Sequence, residues 1–198
     1  MKCFSIPATA AATFGHLDLV KHYFGKVKDP KDRKSTATSI CELALMNGDK
    51  QMIEYIMQLE PDIQCEHFGR FIAMGGHLEL FEMFPVSEEE YFQLVHYAAA
   101  HGQKRVLEWV WSRGHKIYPE LKTAVIGGNK DIIDLVISQG SYFDLNAALF
   151  TAAARGYNEI VEYLIELGAH DMKMKERGEA AFEKTKQFFW KYARKRIQ

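Results

Sequence analysis

Histidine, cysteine and carboxylate are the side chains most able to do chemistry, so their spacing is read first. The chain has eight histidines and three cysteines, Cys3, Cys41 and Cys65. A metal site needs several such ligands brought together, and short spacings such as Cys-x-x-Cys or His-x-x-x-His are its usual mark. Neither spacing occurs. Cys65-Glu66-His67 is the tightest grouping, while His96 and His101 lie five apart and His16 and His22 six apart. Acyl-transfer chemistry would be marked by Gly-x-Ser-x-Gly, and a phosphate cradle by Gly-x-Gly-x-x-Gly or a Gly-Lys-Ser/Thr loop; none is present. Glu88-Glu89-Glu90 could be imagined as an acid/base pair, but three acids after Ser87 read better as a helix start whose charges complement the dipole. The expectation is a chain with no catalytic residues, no cofactor and no metal, hence not an enzyme.

The remaining candidate for direct chemistry is the basic end of the chain. Residues Met172 to Gln198 hold nine basic and three acidic residues, and Lys191, Arg194, Lys195 and Arg196 could contact phosphates while Trp190 stacks on a base. Against this stands a net charge of −1 over 198 residues, unlike the strongly basic signature of most nucleic-acid binders. Acidic residues collect in the middle instead, nine against Arg70 alone between Glu54 and Glu90. Three widely spaced cysteines do not make a disulfide framework, which favours a reducing intracellular compartment. The basic tail would also serve as a nuclear address. No apolar run approaches the roughly 18–20 residues that span a bilayer, so no membrane partner is expected.

What must position any of these side chains is a repeat. Ala98-Ala99-Ala100-His101-Gly102, then Val106-Leu107, Val110-Trp111 and Gly114, is echoed by Ala152-Ala153-Ala154-Arg155-Gly156, then Ile160-Val161, Leu164-Ile165 and Gly168. A third copy runs from Ala124 through Gly128, Ile132-Ile133 and Val136-Ile137 to Gly140, and weaker copies centre on Gly15, Gly48 and Gly76. The six central glycines are separated by 33, 28, 26, 26 and 28 residues. Apolar pairs four apart have helical spacing, and a period in this range marks an array of stacked units. Each unit reads as helix, glycine turn, helix. Neither helix can bury its apolar face alone, so neighbouring units must stack. Helix starts are marked by Ser87, Pro61 and Pro119, since proline suits a first helical turn.

This pattern resembles the ankyrin repeat, whose core reads Ala-Ala, two variable residues, Gly, paired aliphatics, Gly. Tyr97–Ala100 with His101-Gly102 is similar to its first half, His96 falls where the Thr-Pro-Leu-His motif ends, and Asn158 to Ala169 is similar to the second half. His16 and His77 follow a turn glycine, where ankyrin repeats favour histidine for turn hydrogen bonding. The resemblance covers roughly residues 5 to 170. It departs from the family in that no unit carries Thr-Pro-Leu-His intact, and most units fall short of the usual length of about 33 residues. The missing residues are those of the projecting hairpins, so little or no sheet is expected. In this shortened style the chain looks like divergent ankyrin proteins of large DNA viruses and some intracellular bacteria.

The expected architecture is all-α: a solenoid of six short helix–turn–helix units over residues 1–171, closed by a C-terminal capping helix with a basic tail at 172–198. Within the tail, Ala181, Phe182, Thr185, Phe188, Phe189 and Tyr192 share one helical face. Residues 26–34, five basic and two acidic, read as a charged, exposed loop inserted after the first unit. The resemblance implies a protein-interaction module, with a host-target adaptor as the viral or bacterial form of that role. Carried over position by position, its groove-facing residues are Phe14, Met46, Asn47, Met74, Tyr97, His101, Ile126, Thr151 and Arg155. Met46, Met74 and Ile126 could equally pack between units. Trp109, Tyr55 and Tyr163 share one second-helix position and read as packing between units. The expected partner is another protein, bound by a monomer. Self-association, through the opposite charges of middle and ends, and nucleic-acid binding through the tail stand as alternatives.

Overall fold

The structure is a computed structural model that describes residues 4–63, 67–139 and 144–169. Among these residues the regular elements are all helical, with no strand. Five helix pairs run in order: α1 (Ser5–Thr13) with α2 (Leu17–Phe24), α3 (Pro30–Asn47) with α4 (Lys50–Leu59), α6 (Glu90–Ala100) with α7 (Lys104–Ser112), α8 (Leu121–Ile126) with α9 (Lys130–Ser138), and α10 (Leu145–Arg155) with α11 (Asn158–Glu166). Between the second and third pairs, α5 (Phe68–Gly75) is followed by a 3₁₀ turn, Leu78–Glu82. Each first helix packs on its own second element and on the first helix of the next unit, so α1, α3, α5, α6, α8 and α10 form a consecutive row.

The Ala-Ala-x-x-Gly pattern is explained by how the first helices end. In four units the residue after the glycine donates its N–H to the carbonyl five residues back: His16 to Ala11 (2.9 Å), Asp49 to Ala44 (2.9 Å), Gln103 to Ala98 (2.8 Å) and Tyr157 to Ala152 (3.0 Å). The glycine N–H bonds the following carbonyl, as Gly156 does with Ala153 at 3.1 Å. This double closure needs a left-handed residue between the two donors, which glycine supplies without a Cβ clash. All six central glycines meet that need, with φ between 67° and 81°. The small residues before them are buried, among them Ala12, Ala44, Ala98, Ala99, Ala124 and Ala152. Their size lets neighbouring first helices approach closely.

The apolar pairs of the second helices fill the space beneath. Met52, Ile53 and Ile56, Val106, Leu107 and Val110, and Ile132, Ile133 and Val136 are fully buried, and Ile160, Val161 and Leu164 nearly so. Each such side chain contributes about 1.5–3 kcal/mol on burial. Cys41 is buried in α3 among them, as expected of a small apolar filler.

Five expectations change. Residues 26–34 are not simply an inserted loop. Asp29 caps α3 by accepting from the N–H groups of Lys31 and Asp32 (both 3.0 Å), and Pro30 occupies the first turn, so half of the charged stretch is helix. The longer spacing is thus taken up by an 18-residue first helix. Pro61 does not begin a helix; it sits in a turn after α4 closed by Ile63 N–H to Glu60 O at 3.1 Å. Pro119 lies two residues before α8, ahead of its cap residue Glu120. The second helix expected after Gly76 is a 3₁₀ turn instead. Pro85 has no N–H and its ring would clash with the carbonyl four residues earlier, so an α-helix begun at Leu78 cannot propagate. Ser87 is not the cap residue of α6, which begins at Glu90 after Glu89 with no side-chain cap bond; the Ser87 N–H and Oγ instead donate to Glu90 Oε2, at 2.8 and 3.0 Å. Cys3, Cys65, Gly140 and the tail from 170 to 198, with its capping helix and Trp190, lie outside the described residues.

Candidate functional site

The ends of the first helices and the turns that follow them lie side by side. At three junctions the residue after the turn glycine reaches back to the preceding unit. His77 Nε2 lies 3.1 Å from Met46 O, Gln103 Nε2 donates to Met74 O at 2.9 Å, and the Tyr157 hydroxyl donates to Ile126 O at 3.5 Å. At the first junction Asn47 does the same work, its Nδ2 donating to Ala12 O (3.1 Å) and Thr13 O (3.2 Å). The last carbonyls of a helix have no partner within it. Here the next unit supplies one, in a different residue type each time. The glycines sit against these side chains: a Cβ on Gly48 would fall 2.5 Å from the His77 ring, and one on Gly76 2.3 Å from Gln103 Oε1.

This geometry sorts the residues expected to face a partner. Phe14, Asn47, His101 and Arg155 are exposed at first-helix ends. Asn47 is committed to the inter-unit bonds just described, so its amide is structural. Met46, Met74, Tyr97, Ile126 and Thr151 are half-buried. Met46, Met74 and Tyr97 pack against the core, and Thr151 Oγ1 donates to Ala147 O at 2.8 Å within its own helix. Met46, Met74 and Ile126 offer their carbonyls to the next unit and only part of their side chains to solvent. Tyr97, His101, Thr151 and Arg155 lie on the solvent side of α6 and α10.

Sequence reasoning missed two exposed aromatic rings on these helices. Phe92 on α6 is 59% exposed and Phe150 on α10 is 67% exposed. The signal was present: each aromatic falls opposite the buried stripe of its helix, Leu94, Val95 and Ala98 in one case and Ala148 and Ala152 in the other. Phe92 packs against His96 with ring centroids 4.3 Å apart and the rings tilted by 39°, and His96 Nδ1 lies 2.8 Å from Phe92 O. His96, Lys122 and Phe150 each stand six residues before their turn glycine, and so share one register position on adjacent helices. Between them Lys122 Nζ and Glu120 Oε2 pair at 2.6 Å. That contact lowers the Glu120 carboxyl, with a smaller contribution from His96, and raises the Lys122 ammonium.

The shared second-helix position joins one unit to the next. Trp109 stacks on Phe81 at 4.6 Å and 12°. Tyr163 donates its hydroxyl to Asp134 Oδ1 while Lys130 Nζ lies 3.9 Å from the Tyr163 ring centroid, and Lys21 Nζ is 5.6 Å from that of Tyr55. Among the described residues no three His, Cys, Asp or Glu side chains gather as metal ligands, and no helix is long and apolar enough to cross a membrane.

No protein-family model matches the chain. It is 30% identical over 115 residues to Protein MGF 360-15R of African swine fever virus, isolate Pig/Kenya/KEN-50/1950, a stretch covering 56% of this chain and 43% of the viral protein. The same-named protein of isolate Tick/Malawi/Lil 20-1/1983 is 27% identical over 128 residues, covering 63% and 47%. That of strain Badajoz 1971 Vero-adapted is 28% identical over 125 residues, covering 61% and 45%. The matched stretch thus spans just under half the length of these curated relatives. The chain is therefore similar to MGF 360 proteins of African swine fever virus, which agrees with the expected likeness to proteins of large DNA viruses.

Proposed function

We propose that the chain is a non-enzymatic, ankyrin-like interaction module that binds a partner protein through the solvent side of its first helices. One observation carries this reading: the six first helices pack as a consecutive row, four of them closed by the same double-bonded glycine turn, so their solvent sides lie next to one another. An array of this kind offers an extended face on rigid elements. The side chains on it suit recognition, since exposed aromatic residues, histidine and arginine serve contact better than catalysis. The viral relatives support the narrower form of the proposal, an adaptor directed at a host protein.

The test is a pull-down from the cell in which the chain is made, using the native protein and a variant with Tyr97, His101 and Arg155 changed to Ala. The expected result is loss of specific partners from a variant that its helical circular dichroism signal shows to be folded. A variant that retains every partner removes the face from consideration.

A further inference from the structure

The six units differ in what covers them. Three residues before the turn glycines stand Ala12, Leu45, Ala73, Ala99, Val125 and Ala153. The first five are fully buried, and each belongs to a unit with another stacked after it. Ala153, in α10, is only half-buried, and among the described residues no unit follows it. The second helices repeat the contrast. Nine residues after the turn glycine, Phe24 is buried and Met57, Trp111 and Ile137 pack against the core, but Ile165 is 50% exposed. Leu167 is exposed beside it. The last described unit is therefore built like an inner one, holding out apolar side chains that its counterparts bury.

Charge there is one-sided. From Asn129 to Ala169 stand six acidic residues, Asp131, Asp134, Asp144, Glu159, Glu162 and Glu166, against two basic ones, Lys130 and Arg155. Lys130 is already paired with Asp134 at 2.7 Å, and α11 itself carries three glutamates and no lysine or arginine. The chain supplies the complement within a few residues. Met172 to Gln198 holds nine basic and three acidic residues, a surplus of six positive charges beside a region with four excess negative ones. In that segment Phe182, Phe188, Phe189 and Tyr192 share one face at helical spacing. We infer that residues 172–198 of the same chain dock on the last unit as the next layer of the stack. Their apolar face rests on Ala153, Ile165 and Leu167, and their cations lie near Glu162 and Glu166. A second copy, stacked head to tail through the exposed Ile6 and Phe14 of α1, competes for the same surface. The segment prevails because it starts three residues beyond Ala169, and so short a tether gives it an effective concentration that a free copy does not reach. The solvent side of the first helices, proposed above as the binding face, stays open.

The test is limited digestion of the full-length protein with chymotrypsin, which cuts after the aromatic residues that docking covers. Two variants are compared with the native chain, Ile165→Ser plus Leu167→Ser and Glu162→Lys plus Glu166→Lys. Each is expected to speed cleavage at Phe182, Phe188, Phe189 and Tyr192 at least about tenfold, since proteolysis follows the population of the undocked form. Both variants change exposed side chains only, and the helical circular dichroism signal verifies that they stay folded. A second measurement needs no variant. Carbodiimide cross-linking of a mixture of unlabelled and isotope-labelled native chains is expected to join Glu162 or Glu166 to a lysine of 172–198 within one chain. Native cleavage as fast as in the variants, or indifferent to either of them, overturns the inference, as does the absence of that cross-link. Cross-links that join labelled to unlabelled chains, or protection that grows with protein concentration, assign the surface to a second copy and also overturn it.

Discussion

Gly75 ends α5 in ordinary helical conformation, where alanine would normally stabilise by about 1 kcal/mol through helix propensity. A Cβ there would lie 2.1 Å from Met46 O in the neighbouring helix. That atom is backbone and cannot rotate away, so α3 and α5 would have to separate and the Met46–His77 link would loosen. Overpacking of this kind costs about 1–3 kcal/mol and exceeds the propensity gain. Gly75→Ala is therefore expected to destabilise by about 1–2 kcal/mol net, read as a lower urea midpoint. Gly156 makes the opposite case. Its φ is 74° but nothing lies within 4 Å of a Cβ, so Gly156→Ala meets only the left-handed penalty of about 1–2 kcal/mol, and Gly156→Asn costs less. The difference marks what could be read from the sequence. The central glycines announced their turns through the Ala-Ala-x-x-Gly pattern. Gly75 and Gly127 gave no such signal, because what forbids a side chain there belongs to the adjacent unit.

Individual elements test how units are joined. Asp29→Ala is expected to cost about 1 kcal/mol, the usual value of an N-cap, with loss of helix signal confined to the start of α3. Were 26–34 a plain exposed loop, the change would be silent in a melting curve. Its content of lysine, aspartate and proline read as a loop because composition alone does not separate a loop from a capped first turn. The Arg33 side chain had no sequence signal either: it pairs with Glu60 at the end of its own unit and lies over the Phe24 ring of the preceding unit at 4.3 Å. The α9–α11 junction adds a pH dependence. Burial pushes the Asp134 carboxyl up, but hydrogen bonds from Lys130 and Tyr163 outweigh it, leaving the group below its ordinary value of 3.8. A lowered native value means the ionised group stabilises fully above about pH 4 and stops doing so as pH falls through that lowered value. Tyr163→Phe removes one of the bonds. Its stability deficit relative to the native chain is expected to be present at pH 7 and to shrink as pH falls below about 4, in paired thermal melts.

Over the molecule as a whole, stability is distributed along the row of units, since each first helix touches mainly its neighbours. The sequence made this organisation legible through the spacing of six glycines, and the leading second-helix apolar pairs were buried as expected in every unit but the first, where Leu19 is exposed, while Ile165 in the last unit's following pair is exposed too. It gave no warning that the third unit is the irregular one, because Leu80-Phe81 after Gly76 repeats the same pattern and the decisive residue, Pro85, falls where units already vary. In an array held by nearest-neighbour interfaces, a weak unit opens locally without unfolding the rest. The Leu78–Glu82 turn has 3₁₀ bonds of poorer geometry and too few residues to propagate a helix. Leu80, Phe81 and Phe84 still bury their side chains there, so packing rather than helix length holds the turn. Native-state hydrogen exchange should therefore show amides of Leu78–Glu82 exchanging at least about tenfold faster than those in the cores of α4 and α7, a difference of about 1.4 kcal/mol in opening free energy. Uniform protection across α4, the turn and α7 would mean that the third unit opens only with its neighbours, and that stacking rather than local helix quality sets the stability of every unit.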